Sequence, residues 1–135
     1  MNAALRRLVV ERAGERCEYC WLPLALHPAP FQVDHIRARQ HGGSSDPGNL
    51  ALACIHCNRH KGPNIAGVDP ETGVAERLFH PRQDQWLDHF RWSGPTLMGL
   101  TPVGRTTVHT LAINALELVE LRRALAEEGL LQYPQ

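Results

Sequence analysis

Apolar and polar positions along the first half of the chain predict a short series of elements. Residues 3–13 repeat apolar side chains at helical spacing, which indicates an amphipathic helix. The stretches "APFQVDHI" and "LALAC" are typical of two strands, because aromatic, aliphatic and β-branched residues dominate them. Between them, "RQHGGSSDPGN" has the Gly, Ser and Asp-Pro of a loop. After the second strand, "CIHCNRHK" predicts a short helix that stops near Gly62.

The second half of the chain predicts a strand hairpin followed by two helices. After the polar connector "GPNIAGVDPETG", the stretches "RLFHPR", "DQWLDHFRWS" and "SGPTLMGL" are interpreted as strands and a turn. Thr101 and Pro102 predict a helix start, as cap and first helical residue. Asn114 and Glu117 resemble a capping box for a last helix. The predicted buried stripe of that helix consists of Leu118, Leu121 and Leu125.

Composition and charge narrow the class of protein without identifying it. The 135 residues, 43% of them hydrophobic, suit one globular domain and not a disordered chain. Fourteen basic residues balance fourteen acidic ones, which counts against a strongly basic nucleic-acid binder. The residues through Pro63 nevertheless hold eight basic against five acidic residues. No signal peptide or membrane-length apolar run is visible, so we expect a cytoplasmic protein with reduced thiols and no membrane partner.

All four cysteines fall into two Cys-x-x-Cys pairs, Cys17 with Cys20 and Cys54 with Cys57. Two residues between paired cysteines let both sulfurs reach one ion, and Zn²⁺ favours tetrahedral thiolate coordination. The alternatives are two disulfide-type pairs or a thioredoxin-like redox pair, and the latter lacks its βαβ context. The spacing therefore predicts a structural zinc. Its four protein ligands would leave no open coordination position, so this ion would not be catalytic.

The predicted zinc site explains the cysteines but gives no role to four nearby polar residues, Asp34, His35, Asn49 and Asn58. Phosphodiester hydrolysis needs a base that activates water and a cation that stabilises negative charge, for which His35 and Asp34 are suited. Neighbouring strand residues point to opposite faces, so both can serve one site only if the strand ends or twists there, or if the substrate lies between them. Asn58 at the helix start could supply a second oxygen ligand. Taken singly, a structural explanation is favoured for each: a capped loop or a hydrogen-bonded histidine for the Asp-His pair, and a turn for an Asn.

Several motifs in a fixed order carry a resemblance to a known family. The elements "CEYC", "VDHI", "GG", "GNL" and "CIHCNRHKG", within residues 17–62, resemble the HNH endonuclease family in its four-cysteine, zinc-binding branch. The resemblance implies a ββα-metal unit, in which a hairpin and a helix hold one catalytic divalent ion. The stretches "LFHPRQDQWLDHFRWS" and "GLTPVGRTTVHTLAIN" resemble, more weakly, the tails of small stand-alone bacterial HNH proteins.

The resemblance also implies roles for individual residues. His35 would be the general base, and Asp34 the acidic neighbour that binds the metal. Asn49 would brace the loop and thereby orient the base, and Asn58 would be the second metal ligand. The sequence departs from the His-rich version of the motif, because Gly62 stands four residues after Asn58. Two protein ligands favour Mg²⁺ or Mn²⁺ with several waters over catalytic zinc.

Basic residues near the motif are candidates for contacts with the phosphate backbone. Arg37, Arg59 and Lys61 are predicted to bind nucleic acid, and solvated surface charge is the alternative for each. The predicted function is therefore metal-dependent hydrolysis of DNA, with double-stranded DNA as the expected substrate. The alternatives are a catalytically inactive zinc-stabilised nucleic-acid-binding module and a zinc-bearing protein-interaction domain. The near-neutral charge leaves room for a homodimer or a partner protein that strengthens DNA binding.

The predicted fold class is α+β. Residues 1–63 would form the ββα-metal core, stapled by the four-cysteine zinc site and preceded by an N-terminal helix. Residues 64–135 would add a C-terminal extension of a hairpin and two helices, packed on the core as a single domain.

Overall fold

The computed structural model describes residues 2–133 and confirms the predicted α+β class, with short helices and antiparallel two-stranded sheets. The chain divides into two compact units. Unit 1 holds the described residues through Ile65 together with His80–Asp84. Unit 2 holds Ala66–Phe79 and the described residues from Gln85 onward. Within residues 2–133, no helix has the length and apolar character that crossing a membrane requires.

Unit 1 contains the strand, loop, strand and helix that the sequence predicts. Its elements are helix α1 (Ala3–Arg12), strands β1 (Gln32–His35) and β2 (Leu50–Ala53), and helix α2 (Ile55–Lys61). The β1–β2 connection contains two short 3-10 turns, Arg39–His41 and Pro47–Asn49. The side chain of Asn2 caps α1 by accepting a hydrogen bond from the Leu5 amide at 2.8 Å. From the end of that helix, Arg12 donates to the carbonyls of Pro47 and Leu50, which fixes α1 to the hairpin.

The core of unit 1 forms around β2. All four residues of β2 are buried, which explains the continuous apolar stretch "LALA" where a half-exposed strand would alternate. Strand β1 pairs with it antiparallel, from Gln32 opposite Ala53 to His35 opposite Leu50. The largest fully buried apolar side chains around it are Val9, Tyr19, Phe31, Leu50 and Leu52. The hairpin and α2 therefore place Asp34 and His35 at the edge of the hydrophobic core of unit 1.

Unit 2 has two hairpins and three helices among its described residues. Its elements are β3 (Ala66–Val68), β4 (Ala75–Arg77), α3 (Trp86–His89), β5 (Phe90–Ser93), β6 (Thr96–Gly99), α4 (Pro102–Thr110) and α5 (Leu116–Glu127). Strands β3 and β4 pair with each other, as do β5 and β6. Thr101 caps α4 by accepting from the Gly104 amide at 3.0 Å, with Pro102 as the first helical residue, as predicted. The buried carboxylate of Asp69 accepts two hydrogen bonds from Arg105 of α4, which hold its pKa below the usual value.

Several predictions for the extension were wrong in detail. Only Arg77 of the stretch "RLFHPR" lies in a strand, and of the predicted stripe of the last helix only Leu118 is buried. The connector contains β3, and the stretch "DQWLDHFRWS" begins with the short helix α3 before β5 starts at Phe90. The capping box does not form, since Ala115 occupies the N-cap of α5. Asn114 instead exchanges hydrogen bonds of 2.9 and 2.8 Å with the amide and carbonyl of Leu97. An amide side chain can pair with both backbone groups of a strand, and here that pairing outcompetes the cap.

Candidate active site and metal centre

The four cysteines converge on one point in unit 1. Their sulfur atoms all lie within 4.8 Å of one another, and all four side chains are buried and free of disulfides. Tetrahedral bonds of about 2.3 Å to zinc place sulfur atoms about 3.8 Å apart. The Cys20 and Cys54 sulfurs are separated by 3.8 Å, which fits such a site and is far too long for a disulfide. The donor set and its spacing therefore fit a structural Zn²⁺.

Local backbone geometry aims the sulfurs inward. The Cys20 amide points at the Cys17 sulfur at 3.5 Å, and the Cys57 amide points at the Cys54 sulfur at 3.4 Å. Hydrogen bonds from the Cys17, Cys20 and Cys57 thiols lower the pKa of Cys54. Hydrogen bonds to the other three thiols raise the pKa of Cys57, and so does its burial. Zn²⁺ would supply the positive charge that lets buried thiols ionise together.

Asp34, His35 and Asn58 line the same surface cavity of about 300 Å³. Its other lining residues are Val33, Ala38, Arg39, Gly62 and Pro63. Strand β1 ends at His35, and the next amide, that of Ile36, donates to the Asn49 carbonyl at 2.8 Å. Because the strand ends there, two neighbouring residues can reach one cavity. The structure thus places at one cavity the three residues that are predicted to serve as base and oxygen ligands.

The carboxylate of Asp34 is buried and already has protein partners. The Tyr19 hydroxyl donates to its Oδ2 at 2.8 Å, and the Lys61 ammonium lies 3.2 Å from Oδ2 and 3.3 Å from Oδ1. Burial raises the pKa of Asp34 above its ordinary value, although the attraction of Lys61 opposes the shift. Each carboxylate oxygen can accept about two hydrogen bonds, so Oδ1 retains capacity for a further ligand.

Lys61 occupies a different place from the one predicted for it. Its side chain is only 1% exposed, and its ammonium donates to Asp34 and to the carbonyls of His35 and Ile36, at 3.2 and 3.0 Å. An ammonium group has three hydrogens, and these three partners account for them. The structure therefore does not support a surface contact between Lys61 and phosphate.

His35 is half-buried and has a polar partner in the β1–β2 connection. Its Nε2 lies 3.0 Å from the hydroxyl of Ser45, which also accepts a hydrogen bond of 3.1 Å from Arg39. A serine hydroxyl has two acceptor positions, so it can receive hydrogen bonds from both side chains. When Nε2 carries the ring proton and donates it to Ser45, the lone pair of the imidazole lies on Nδ1.

Asn49 ties the two ends of the connection together. Its Oδ1 accepts from the Arg37 amide at 2.9 Å, and its Nδ2 donates to the carbonyls of Arg37 and Ser44 at 3.0 and 2.6 Å. Hydrogen bonds of this kind are expected of a residue that braces the loop. That Asn49 also orients the base is a prediction. We call the two hydrogen bonds between Asn49 and Arg37 the clasp. Gly43 lies against it, since a Cβ added there would stand 1.8 Å from the Arg37 oxygen. Gly42 has a φ of +83°, which disfavours other residues.

The remaining predicted residues lie on the surface near the cavity. Arg37 and Arg59 are exposed, as a phosphate contact requires, and Asn58 is half-buried within α2. Sequence reasoning missed Tyr19 and Ser45. Tyr19 stands inside the first Cys-x-x-Cys pair, which signals its position near the metal centre. Neither residue carries a sequence signal for its partner, which lies 15 residues away for Tyr19 and 10 for Ser45.

Comparison with known families gives a match within the first half of the chain. Residues 17–64 match the family model described as HNH endonuclease. Neither a curated protein nor a solved structure matches the chain. The match covers both cysteine pairs, β1, β2 and α2, and hence the residues that line the cavity.

Proposed function

Because residues 17–64 match the family model described as HNH endonuclease, we propose that the protein is a metal-dependent endonuclease that hydrolyses phosphodiester bonds of DNA. The observation that carries this proposal is the shared cavity. A candidate base, a carboxylate and an amide line one opening of about 300 Å³, on a hairpin and helix that join at a four-cysteine cluster. Double-stranded DNA is the substrate that we expect.

His35 acts as the general base in this proposal. Imidazole accepts protons near neutral pH, and general-base catalysis typically contributes about 10²–10⁴-fold to a rate. With Nε2 held by Ser45, Nδ1 receives the proton of a water molecule that attacks phosphorus. Asn49 keeps this imidazole in place indirectly, by fixing the connection that carries Ser45 and Arg37.

Asp34 and Asn58 offer the hard oxygen ligands for a divalent ion. The donor set of one carboxylate and one amide fits Mg²⁺ or Mn²⁺, which keep several waters when bound by few protein groups. A water takes about 30 Å³, so a cavity of about 300 Å³ has room for a partly hydrated ion. Such an ion would stabilise negative charge on the phosphate and the leaving oxygen. Arg37 and Arg59 would meet the DNA backbone, which positions the duplex without reading its sequence.

Cleavage of supercoiled plasmid by the purified protein tests this function. With Mg²⁺ or Mn²⁺ the wild type should nick or linearise the plasmid, EDTA should stop the reaction, and added Mg²⁺ should restore it. His35→Ala should lower the rate at least about 100-fold, because it removes the base. His41→Ala, at an exposed histidine of the same connection, is the matched control and should cut like the wild type.

Two results would contradict the proposal. One is a folded, zinc-loaded wild type that cuts no DNA with either metal. The other is a His35→Ala protein as active as His41→Ala. Thermal unfolding and zinc content of each variant separate lost chemistry from lost structure.

A nucleic-acid-binding module without catalysis is the second candidate, and one contact favours it. The Lys61 ammonium partly neutralises Asp34, the carboxylate that a divalent ion would need. A module of this kind should shift labelled duplex DNA in a gel while leaving plasmid uncut with every metal. Binding without cleavage would therefore replace the first proposal with this one.

A further inference from the structure

We propose that Lys61 is a positioning residue, whose buried ammonium holds the end of β1 so that Asp34 and His35 both face the cavity. This inference rests on the proposed function. It assigns Lys61 to the geometry of the site and not to DNA binding.

The burial of Lys61 is the first observation. Lysine is rarely fully buried, because removing an ammonium from water is costly unless charge and hydrogen bonds compensate. Here the side chain is 1% exposed and reaches a carboxylate and two backbone carbonyls at 3.0–3.3 Å. Lys61 lies 27 residues from Asp34 along the chain, so this is a long-range link between α2 and β1.

The two carbonyls are the second observation. Successive residues of a regular strand turn their backbone groups and side chains to opposite sides. The carbonyls of His35 and Ile36 nevertheless accept from the same ammonium, so the backbone departs from strand geometry at this point. This departure occurs where Asp34 and His35, neighbours in the chain, both line one cavity. Lys61 thus stabilises the irregular backbone that the site needs.

The position of Lys61 within α2 is the third observation. Residues three apart lie on the same face of a helix, so Lys61 shares a face with Asn58. The ammonium therefore connects the helix face that offers one oxygen ligand to the strand end that offers the other. A change at Lys61 should alter how Asp34, His35 and Asn58 are arranged relative to one another.

The test compares Lys61→Met with Arg12→Met. Methionine keeps an unbranched side chain and removes the charge. Arg12 is the matched control, since it too is a cation that donates to two backbone carbonyls of the hairpin, at 2.9 and 2.7 Å. At a temperature where both variants are folded, with saturating Mg²⁺, Lys61→Met should lower kcat at least about 10-fold, because misplacement near 1 Å can cost about 100-fold. Its KM for DNA should stay within about threefold, and Arg12→Met should keep kcat within about threefold of the wild type.

Paramagnetic broadening by Mn²⁺ gives a readout that does not depend on cleavage. In the wild type, Mn²⁺ should broaden the side-chain NMR signals of His35 and Asn58 together. In Lys61→Met the two signals should no longer respond together. A wild type that fails to cut but shows joint broadening would refute the proposed function and leave the positioning role standing.

Two results would overturn the inference. One is wild-type kcat with joint broadening in Lys61→Met. If Lys61→Met does not fold, Lys61→Gln is tested in its place, because glutamine keeps an N–H donor without the charge. Wild-type kcat in Lys61→Gln is the second such result, since it would show that the ammonium is not needed.

Discussion

Replacement of Gly43 by alanine tests whether the backbone of the β1–β2 connection positions the candidate site. An added Cβ would stand 1.8 Å from the Arg37 oxygen, 2.7 Å from the Arg37 carbonyl carbon and 2.9 Å from Asn49 Nδ2. Real Cβ atoms essentially never approach another heavy atom closer than 3.0 Å. The Arg37 carbonyl must therefore retreat by at least about 1.2 Å, the difference between 3.0 and 1.8 Å.

That retreat would disrupt the clasp between Asn49 and Arg37. The two hydrogen bonds of the clasp measure 2.9 and 3.0 Å, and each contributes about 1 kcal/mol net. Backbone strain from overpacking adds about 1–3 kcal/mol, so the free energy of unfolding should fall by about 3–5 kcal/mol. Arg37 lies two residues after His35, and a displacement near 1 Å at the base should lower cleavage about 100-fold.

Gly48→Ala is the matched control for this prediction. It lies in the same connection, yet a Cβ added there meets nothing within 4 Å. Plasmid cleavage should stay within about twofold of the wild type in Gly48→Ala and fall steeply in Gly43→Ala, with zinc content unchanged in both. If Gly43→Ala folds and cuts as fast as Gly48→Ala, the connection does not position the base.

Two further predictions concern stability. The wild type should bind about one Zn²⁺ per chain, and Cys54→Ser should lose the metal and the NMR dispersion of unit 1, whereas a well-folded, zinc-free wild type would contradict the metal centre. The lowered pKa of Asp69 stabilises the folded state above the unfolded pKa of about 3.9, and that stability is lost as pH falls through the folded pKa. In urea unfolding between pH 2 and 5, Asp69→Asn should therefore flatten the acid-side slope relative to Glu117→Gln, a control at an exposed carboxylate. An equal slope in both variants would refute this linkage.

The sequence predicted correctly those features that depend on interactions between residues close together in the chain. The Thr101–Pro102 start of α4 depends on a hydrogen bond between residues three apart, and it forms as predicted. Asn114 carries an equally good local signal for a cap. It fails because Leu97, which lies 17 residues away, offers Asn114 a better pair of partners. Sequence alone does not reveal that competitor.

The same distinction applies to the candidate site. The cysteine spacing and the order of the motifs are sequence signals, and they predicted both the cysteine cluster and the three polar residues that line the cavity. Lys61 is predicted from the sequence as a contact with the phosphate backbone, because ammonium groups bind phosphate by charge and hydrogen bonds. Its actual partners lie 25 to 27 residues away, and they become neighbours only when α2 packs beside β1.

The helical pattern of α2 nevertheless explains why Lys61 turns inward while Arg59 stays outside. Cys54, Cys57, Asn58 and Lys61 follow the spacing i, i+3, i+4, i+7, which defines one face of a helix. The two cysteines face the metal centre. Asn58 and Lys61 lie on the same face of the helix, toward the cavity and β1. Arg59 lies two residues from Lys61, about 200° around the helix, and is exposed. One short helix thereby separates two tasks, because its inner cation can set the geometry of the site while its outer cation remains available to phosphate.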